Sequence, residues 1–140
     1  MRKFKPYSAL LAALGGFLLV AMGIYFCFER PVLLPEDLRY MQTTLPVIYD
    51  SIPGLTRWLQ KVFFVMGSYI FTTGLLTIFI SLTSFRTRSP GAFGIVAMAG
   101  LSSIGLMTVV NFMIASDFKW VLLAFTIPWL IALILYQLNK

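Results

Sequence analysis

Histidine is missing from the chain, and cysteine occurs once, as Cys27. A single cysteine rules out an intrachain disulfide, a CxxC redox pair and a cluster of thiolate ligands. Without histidine there is no zinc site built on imidazole, no haem held by histidine and no catalytic triad with a histidine base. We therefore expect neither a metal nor a cofactor. The same absences set the chain apart from four-helix membrane proteins that work through paired cysteines or haem-binding histidines.

Charged side chains are also scarce, with 11 basic and 5 acidic residues among 140, against 59% hydrophobic residues and a mean hydropathy of +0.89. An ordinary soluble domain has roughly 25% charged residues, so this chain cannot cover a globular surface with polar groups. A water-soluble enzyme is therefore excluded. A disordered segment is excluded as well, because disorder requires low hydrophobicity and high charge. The composition predicts an integral membrane protein.

Four apolar runs, none of which contains Asp, Glu, Lys or Arg, divide the chain. They are about Tyr7–Phe28, Val62–Leu82, Ala92–Ala115 and Trp120–Tyr136. A helix needs about 20 apolar residues to cross a bilayer, and each run is close to that length. The pattern predicts an all-α, integral membrane four-helix up-down bundle, formed as a single transmembrane domain over residues 1–140.

The first run is compared with a signal peptide, which also begins with basic residues and an apolar stretch. Arg2 and Lys3 supply the positive start, and Ala21-Met22-Gly23 resembles a cleavage site between small residues. The apolar run nevertheless continues to Phe28, which makes it long enough to span a bilayer. We therefore expect an uncleaved membrane-spanning helix.

The placement of charges predicts the orientation. With the N-terminus in the cytoplasm, the inner segments hold only basic residues, and the outer segments hold five of each sign. The inner basic residues are Arg2, Lys3, Lys5, Arg86, Arg88 and Lys140. Because positive charge accumulates in short cytoplasmic loops, both termini are expected in the cytoplasm. Short loops and compact length favour a bacterial cytoplasmic membrane, and the basic pI of 9.8 indicates orientation and no nucleic-acid partner.

The outer segment 29–61 is much longer than the other connections and contains four prolines. Pro35-Glu36-Asp37 is typical of a helix start, with proline in the first turn and acidic residues at the positive end of the helix dipole. From Leu55 onward, apolar residues recur at helical spacing into the second run, so that run is expected to begin outside the membrane. The segment therefore predicts a cap of short helices on the outer side.

Small residues at helical spacing predict where the long helices pack, because close backbone approach holds helices together in lipid. They are Ala12, Gly16 and Gly23 on the first run, Gly67 and Gly74 on the second, and Gly94, Ala97, Gly105, Thr108 and Ala115 on the third. On the fourth run, Trp129 follows Pro128 near the middle of the membrane. We expect its ring to pack into a notch of a neighbouring helix; the alternative is packing against a bound lipid tail.

Asn111 is the most demanding polar residue inside a run, because lipid satisfies neither the donors nor the acceptor of its amide. Two interpretations remain open. The amide either forms a hydrogen bond to another helix or lines a pocket that faces the outer side, together with Thr108 one turn away.

The outer charges form the other candidate site. They are Glu29, Arg30, Glu36, Asp37, Arg39 and Asp117. Because the outer segments as a whole hold five acidic and five basic residues, we predict a neutral, ion-paired cap. The alternative is a carboxylate pair that acts on a lipid-linked substrate, as in membrane aspartyl enzymes of the signal-peptidase type. Asn111 and Asp117 are spaced more widely than the Asn-x-x-Asp of that family, which disfavours catalysis.

The stretch Val62–Leu76 reads Val-Phe-Phe-Val-Met-Gly-Ser-Tyr-Ile-Phe-Thr-Thr-Gly-Leu-Leu and precedes a basic turn and two further runs. This layout resembles the small bacterial four-helix membrane proteins grouped as DoxX-like, a resemblance that assigns no functional residue. We predict a non-catalytic accessory, assembly or lipid-contacting subunit, in contact with membrane lipid and with a membrane-protein partner or a second copy of itself. The alternative is a binder or carrier of a hydrophobic small molecule, lipid- or quinone-like, taken up from the outer leaflet.

Overall fold

A computed structural model describes residues 5–138, and the regular secondary structure of this part of the chain is all helical, without a strand. Four segments are long and apolar enough to cross a membrane: Tyr7–Glu29, Leu55–Phe85, Ala92–Met113 and Lys119–Leu138. The predicted all-α class and the four long apolar helices are confirmed. Of the basic residues used to predict the orientation, Arg2, Lys3 and Lys140 lie outside the described residues.

Residues 5–138 form seven α-helices, and three of the long segments also contain a π-helical turn. The helices are α1 (Lys5–Ile24), α2 (Pro35–Met41), α3 (Leu45–Ser51), α4 (Leu55–Ile80), α5 (Ala92–Gly100), α6 (Leu106–Met113) and α7 (Lys119–Leu138). The π-helical turns are Tyr25–Glu29 after α1, Ser81–Phe85 after α4 and Leu101–Gly105 between α5 and α6. As the prolines of the loop predicted, α2 and α3 are short and both contain proline in the first turn.

The contact between α1 and α4 is made by glycines. A methyl group on Gly74 would lie 2.6 Å from the Gly16 carbonyl oxygen, and one on Gly67 would lie 2.8 Å from the Gly23 carbonyl oxygen. The earlier glycine of α1 meets the later glycine of α4, so this pair of helices is antiparallel. The two backbones are in direct contact, as the predicted packing on these helices requires.

Trp129 of α7 packs between two other helices. Its indole ring lies against Gly15 of α1 and Gly100 of α5, and a methyl group on either glycine would overlap the ring. The side chain is buried, at 3% exposure. The expected notch is thus formed by two glycines on different helices. The predicted seam on the third run is wrong at Gly94, where an added methyl group would meet no atom within 4 Å.

An aromatic cluster closes one end of the bundle. The ring of Tyr136 on α7 lies 4.4 Å from the ring of Phe85 and 5.4 Å from the ring of Phe93, measured between centroids. Arg88 places its guanidinium 4.4 Å from the centroid of the Tyr136 ring and donates a hydrogen bond of 3.0 Å to the Tyr136 carbonyl. We call this end the closed end and the opposite end, which carries α2, the cap end.

Candidate functional site

A cavity of about 780 Å³ lies at the cap end, within the range of pockets that hold small molecules. Its walls come from α1 and its π-helical turn, α4, the α5–α6 segment and the start of α7, while α2 forms its roof. Most of the lining is apolar: Met22, Tyr25, Phe26, Val32, Leu33, Leu34, Tyr40, Met41, Leu59, Phe63, Met66, Leu106, Met107, Val110, Ile114, Phe118, Val121 and Leu122. The lining also includes Arg30, Glu36, Asp37, Ser102, Ser103 and Asn111.

Contacts outside the lining hold together the helices that surround the cavity. Glycines hold α1 against α4, and the aromatic cluster holds the closed end together. Seven large hydrophobic side chains of the lining are substantially exposed. Met66 lies on α4, and Leu106 and Val110 lie on α6; the others are Tyr40, Met41, Phe118 and Val121. The cavity is therefore bordered by exposed apolar side chains on both α4 and α6, as well as on α2 and at the start of α7.

Arg30 is the cation of the cavity, and it is held in place on several sides. Its guanidinium lies 3.9 Å from the centroid of the Phe63 ring and 5.3 Å from that of Phe26. It forms an ion pair of 3.3 Å with Asp37 and donates a hydrogen bond of 2.9 Å to the Pro31 carbonyl. Only 11% of the side chain is exposed. Arg30 therefore ties the end of the first long segment to both α4 and α2.

Asp37 also caps the start of α2. Its carboxylate accepts a hydrogen bond of 2.9 Å from the Leu34 backbone N–H, which satisfies a donor at the beginning of the helix. The same oxygen accepts the bond from Arg30. The helix start predicted at Pro35–Asp37 is thus confirmed, and the carboxylate that caps it also fixes the cation of the cavity.

Glu36 is the most deeply buried charged residue for which the structure describes the side chain, at 2% exposure. Its Oε1 accepts a hydrogen bond of 3.0 Å from the hydroxyl of Ser116, which lies in the turn between α6 and α7. The Ser116 hydroxyl in turn accepts a bond of 3.1 Å from the Phe118 backbone N–H. These contacts fasten α2 to that turn across the cavity.

Arg39 and Asp117 form a second fastening, on the surface. Their ion pair is 2.8 Å long, and 58% and 61% of the two side chains are exposed. The hydrogen bond and the charge of Asp117 raise the pKa of Arg39, and Glu36 adds a smaller effect in the same direction. Neither residue lines the cavity. Asp117 therefore does not meet Asn111 inside the site, as a pair of catalytic side chains would.

The remaining predicted site residues are placed differently from one another. The Asn111 amide donates a hydrogen bond of 2.9 Å to the Met107 carbonyl of its own helix. The amide therefore bonds one turn back on its own helix and not, as the first interpretation expected, to another helix. Asn111 does line the cavity, as the second interpretation expected. Thr108 is buried and bonds to the Ile104 carbonyl at 2.7 Å, outside the lining. Glu29 is exposed and also lies outside the lining.

Several residues that build the site carried no signal in the sequence. Ser116 is an ordinary loop serine until the fold places its hydroxyl beside Glu36. Phe26 and Phe63 are two of 13 phenylalanines, and only the fold stacks them on Arg30. Ser103 donates to the Ala99 carbonyl within a π-helical turn that borders the cavity. Such turns are frequent at functional sites, but a sequence does not reveal them.

Among the residues that the structure describes, no three His, Cys, Asp or Glu side chains are arranged to hold a metal ion. No family model matches the chain, and no curated protein and no solved structure matches it. The resemblance to DoxX-like proteins therefore stays a prediction. The function is inferred from the cavity and its lining.

Proposed function

We propose that this protein is a non-catalytic multi-pass membrane protein that binds a hydrophobic small molecule, lipid- or quinone-like, in the cavity at the cap end. In this proposal the four long helices form an up-down bundle in a bacterial cytoplasmic membrane, with both termini in the cytoplasm and α2 on the outer side. The observation that carries the proposal is the cavity of about 780 Å³ with a mostly apolar lining. Binding of such a molecule is the alternative function that the sequence predicted, beside the accessory or assembly role.

The cavity suits a molecule with an apolar body and one polar end. Its walls deeper in the bundle are formed by side chains such as Met22, Met66 and Met107, and methionine adapts readily to different ligand shapes. The polar residues Arg30, Glu36 and Asp37 gather near the roof. Ligand sites commonly combine an apolar lining with a few polar groups that orient the ligand.

The exposed apolar lining side chains of α4 and α6 support entry from within the bilayer. A membrane-dissolved molecule reaches the cavity past Met66, Leu106 and Val110 without crossing water. The roof has two fastenings to the α6–α7 turn, Glu36 to Ser116 and Arg39 to Asp117. A sideways entrance between helices leaves both fastenings intact.

Filling the cavity tests the proposal. Met107 lines the cavity, whereas Met113, on the same helix, is 74% exposed and lies outside it. In protein purified in a mild detergent, Met107→Trp is expected to reduce the amount of co-purifying lipid or quinone by at least about fivefold, equivalent to about 1 kcal/mol of affinity. The amount is measured by native mass spectrometry. Met113→Trp, with the same added bulk, is expected to leave it unchanged.

Equal ligand content in both tryptophan variants and the unaltered protein would contradict binding in this cavity. A stoichiometric protein partner without any bound small molecule would instead favour the accessory or assembly role. Thermal unfolding of both variants in the same detergent checks that Met107→Trp is folded, so that loss of ligand is not a consequence of loss of structure.

Reporter fusions test the proposed orientation in the membrane. A reporter active only in the cytoplasm, fused after Lys140, is expected to give signal. A reporter active only outside the cytoplasm, inserted between Thr43 and Thr44 in the connection of α2 and α3, is expected to give signal as well. The physical reason is the excess of basic residues near the termini and the Arg86–Arg88 turn. The reverse pattern of signals would place α2 in the cytoplasm and overturn the orientation.

A further inference from the structure

The charges that border the cavity do not balance. The lining contains one cation, Arg30, and two carboxylates, Glu36 and Asp37. With both carboxylates ionised, the lining carries a net charge of −1. A ligand of opposite charge at this point would complete the balance, whereas an anionic ligand would increase the imbalance.

The charge of Arg30 is already compensated. Its Nη2 pairs with Asp37 at 3.3 Å, and its Nη1 donates to the Pro31 carbonyl at 2.9 Å and to the Val32 carbonyl at 3.4 Å. Its guanidinium also covers the ring of Phe63 at 3.9 Å. A group held by a carboxylate, two carbonyls and an aromatic ring is a poor receptor for an additional anion.

Glu36 is the carboxylate that lacks such a partner. It is 2% exposed and receives one hydrogen bond from the neutral Ser116 hydroxyl. Among the described side chains it forms no ion pair, and Arg39, on the same helix, is paired with Asp117 on the surface. A buried charge is costly without a counter-charge, so a cation beside Glu36 would be stabilised.

Further aromatic rings line the cavity, and two belong to residues linked to Glu36. Tyr40 is one turn away on α2, and the Phe118 backbone N–H donates to the Ser116 hydroxyl. Tyr25, Tyr40 and Phe118 belong to the lining, and the rings that Arg30 covers, Phe26 and Phe63, are different ones. Faces of aromatic rings attract ammonium groups, most strongly where water is excluded. Rings of this kind next to a buried carboxylate suit an ammonium head group.

We propose that the ligand of the cavity is a cationic amphiphile, with its hydrocarbon part between α4 and α6 and its ammonium head beside Glu36. This inference rests on the proposed binding function and specifies its ligand class. Glu36 is the residue that selects for positive charge. Asp37 keeps Arg30 occupied and thereby prevents Arg30 from attracting anions.

Three probes with the same 14-carbon chain separate charge from hydrophobicity: tetradecyltrimethylammonium, tetradecanol and myristate. Each is added below its micelle-forming concentration to the full chain in a non-ionic detergent, and binding is measured by native mass spectrometry. The ammonium probe is expected to bind at least about tenfold more tightly than myristate, equivalent to about 1.4 kcal/mol, with tetradecanol between them. Competition by tetradecanol shows that all three share one site.

Glu36→Gln is the decisive variant. Glutamine keeps an oxygen that accepts the Ser116 hydrogen bond and removes only the charge, so the fold is retained, which thermal unfolding checks. The preference for the ammonium probe is expected to fall below about threefold, with tetradecanol binding unchanged. The control is Glu29→Gln, which makes the same change at an exposed carboxylate outside the lining and is expected to keep the full preference.

The outcomes distinguish this inference from the proposed function. Saturable binding of all three probes without preference, or a preference that Glu36→Gln leaves intact, overturns the cationic ligand and leaves the cavity as a binding site. Tighter binding of myristate overturns it as well, because Arg30 would then set the selectivity. Absence of saturable binding for every probe contradicts the proposed function itself.

Discussion

Replacing Trp129 with alanine is expected to lower the free energy of unfolding by on the order of 3 kcal/mol, the scale found for removing a large buried aromatic side chain. The ring fills the space between Gly15 of α1 and Gly100 of α5 and is 3% exposed. Three helices therefore lose contact at once. Neither glycine has a side chain that could move into the space, so the gap cannot close without a shift of the backbone.

Two matched variants define what the ring contributes. Trp129→Phe keeps most of the aromatic bulk and removes the buried indole N–H, which lacks a hydrogen-bond partner in the described structure. It is expected to cost less than about 1.5 kcal/mol. Trp58→Ala removes an indole that is 62% exposed and is expected to have little effect. Unfolding in detergent, followed by loss of the folded peak on size exclusion, measures all three, and equal destabilisation by Trp129→Ala and Trp58→Ala would falsify the packing role.

Gly74→Ala is expected to destabilise the protein by about 1–3 kcal/mol, as overpacking does elsewhere. The added methyl group would lie 2.6 Å from the Gly16 carbonyl oxygen and 2.7 Å from the Val20 backbone nitrogen. These are backbone atoms, which cannot rotate away as a flexible side chain can. The substitution therefore separates α1 from α4, the pair that forms one wall of the cavity.

Gly94→Ala is the control, for which we expect no loss of stability. Gly94 also lies within a helix, but a methyl group there meets no atom within 4 Å. Alanine in a helix interior is favoured over glycine by about 0.5–1 kcal/mol, so this variant is expected to be as stable as the unaltered protein or more so. If both alanine variants change the unfolding temperature in the same direction by the same amount, the close contact at Gly74 does not limit stability.

Much of the fold follows from local patterns. Four long apolar runs predict four long helices, because each run is long enough to cross a bilayer. Pro35 and the two acids after it predict the start of α2, since both effects act within one helical turn. The glycines of α1 and α4 repeat at a spacing that keeps them on one helix face. In each case the physical cause lies within a few residues of sequence.

The third long segment shows where such reasoning ends. Its small residues suggested a seam through Gly94 and Gly105, but the glycine that receives Trp129 is Gly100. The π-helical turn Leu101–Gly105 changes the number of residues per turn and so rotates the residues after it relative to a regular helix. That turn displaces Gly105 and the residues after it, whereas Gly94 and Gly100 both precede it and point in different directions because they are six residues apart on α5.

The sequence by itself determined the helical class, the four apolar segments and the charged cap between the first two, because composition and short-range periodicity decide these properties. The tertiary structure alone decided which charges face the cavity. Arg39 and Glu36 are three residues apart on one short helix, yet one pairs with Asp117 on the surface and the other is buried against Ser116. Those partners are about 80 residues away along the chain, and the energy of burying a charge depends on what the fold places around it.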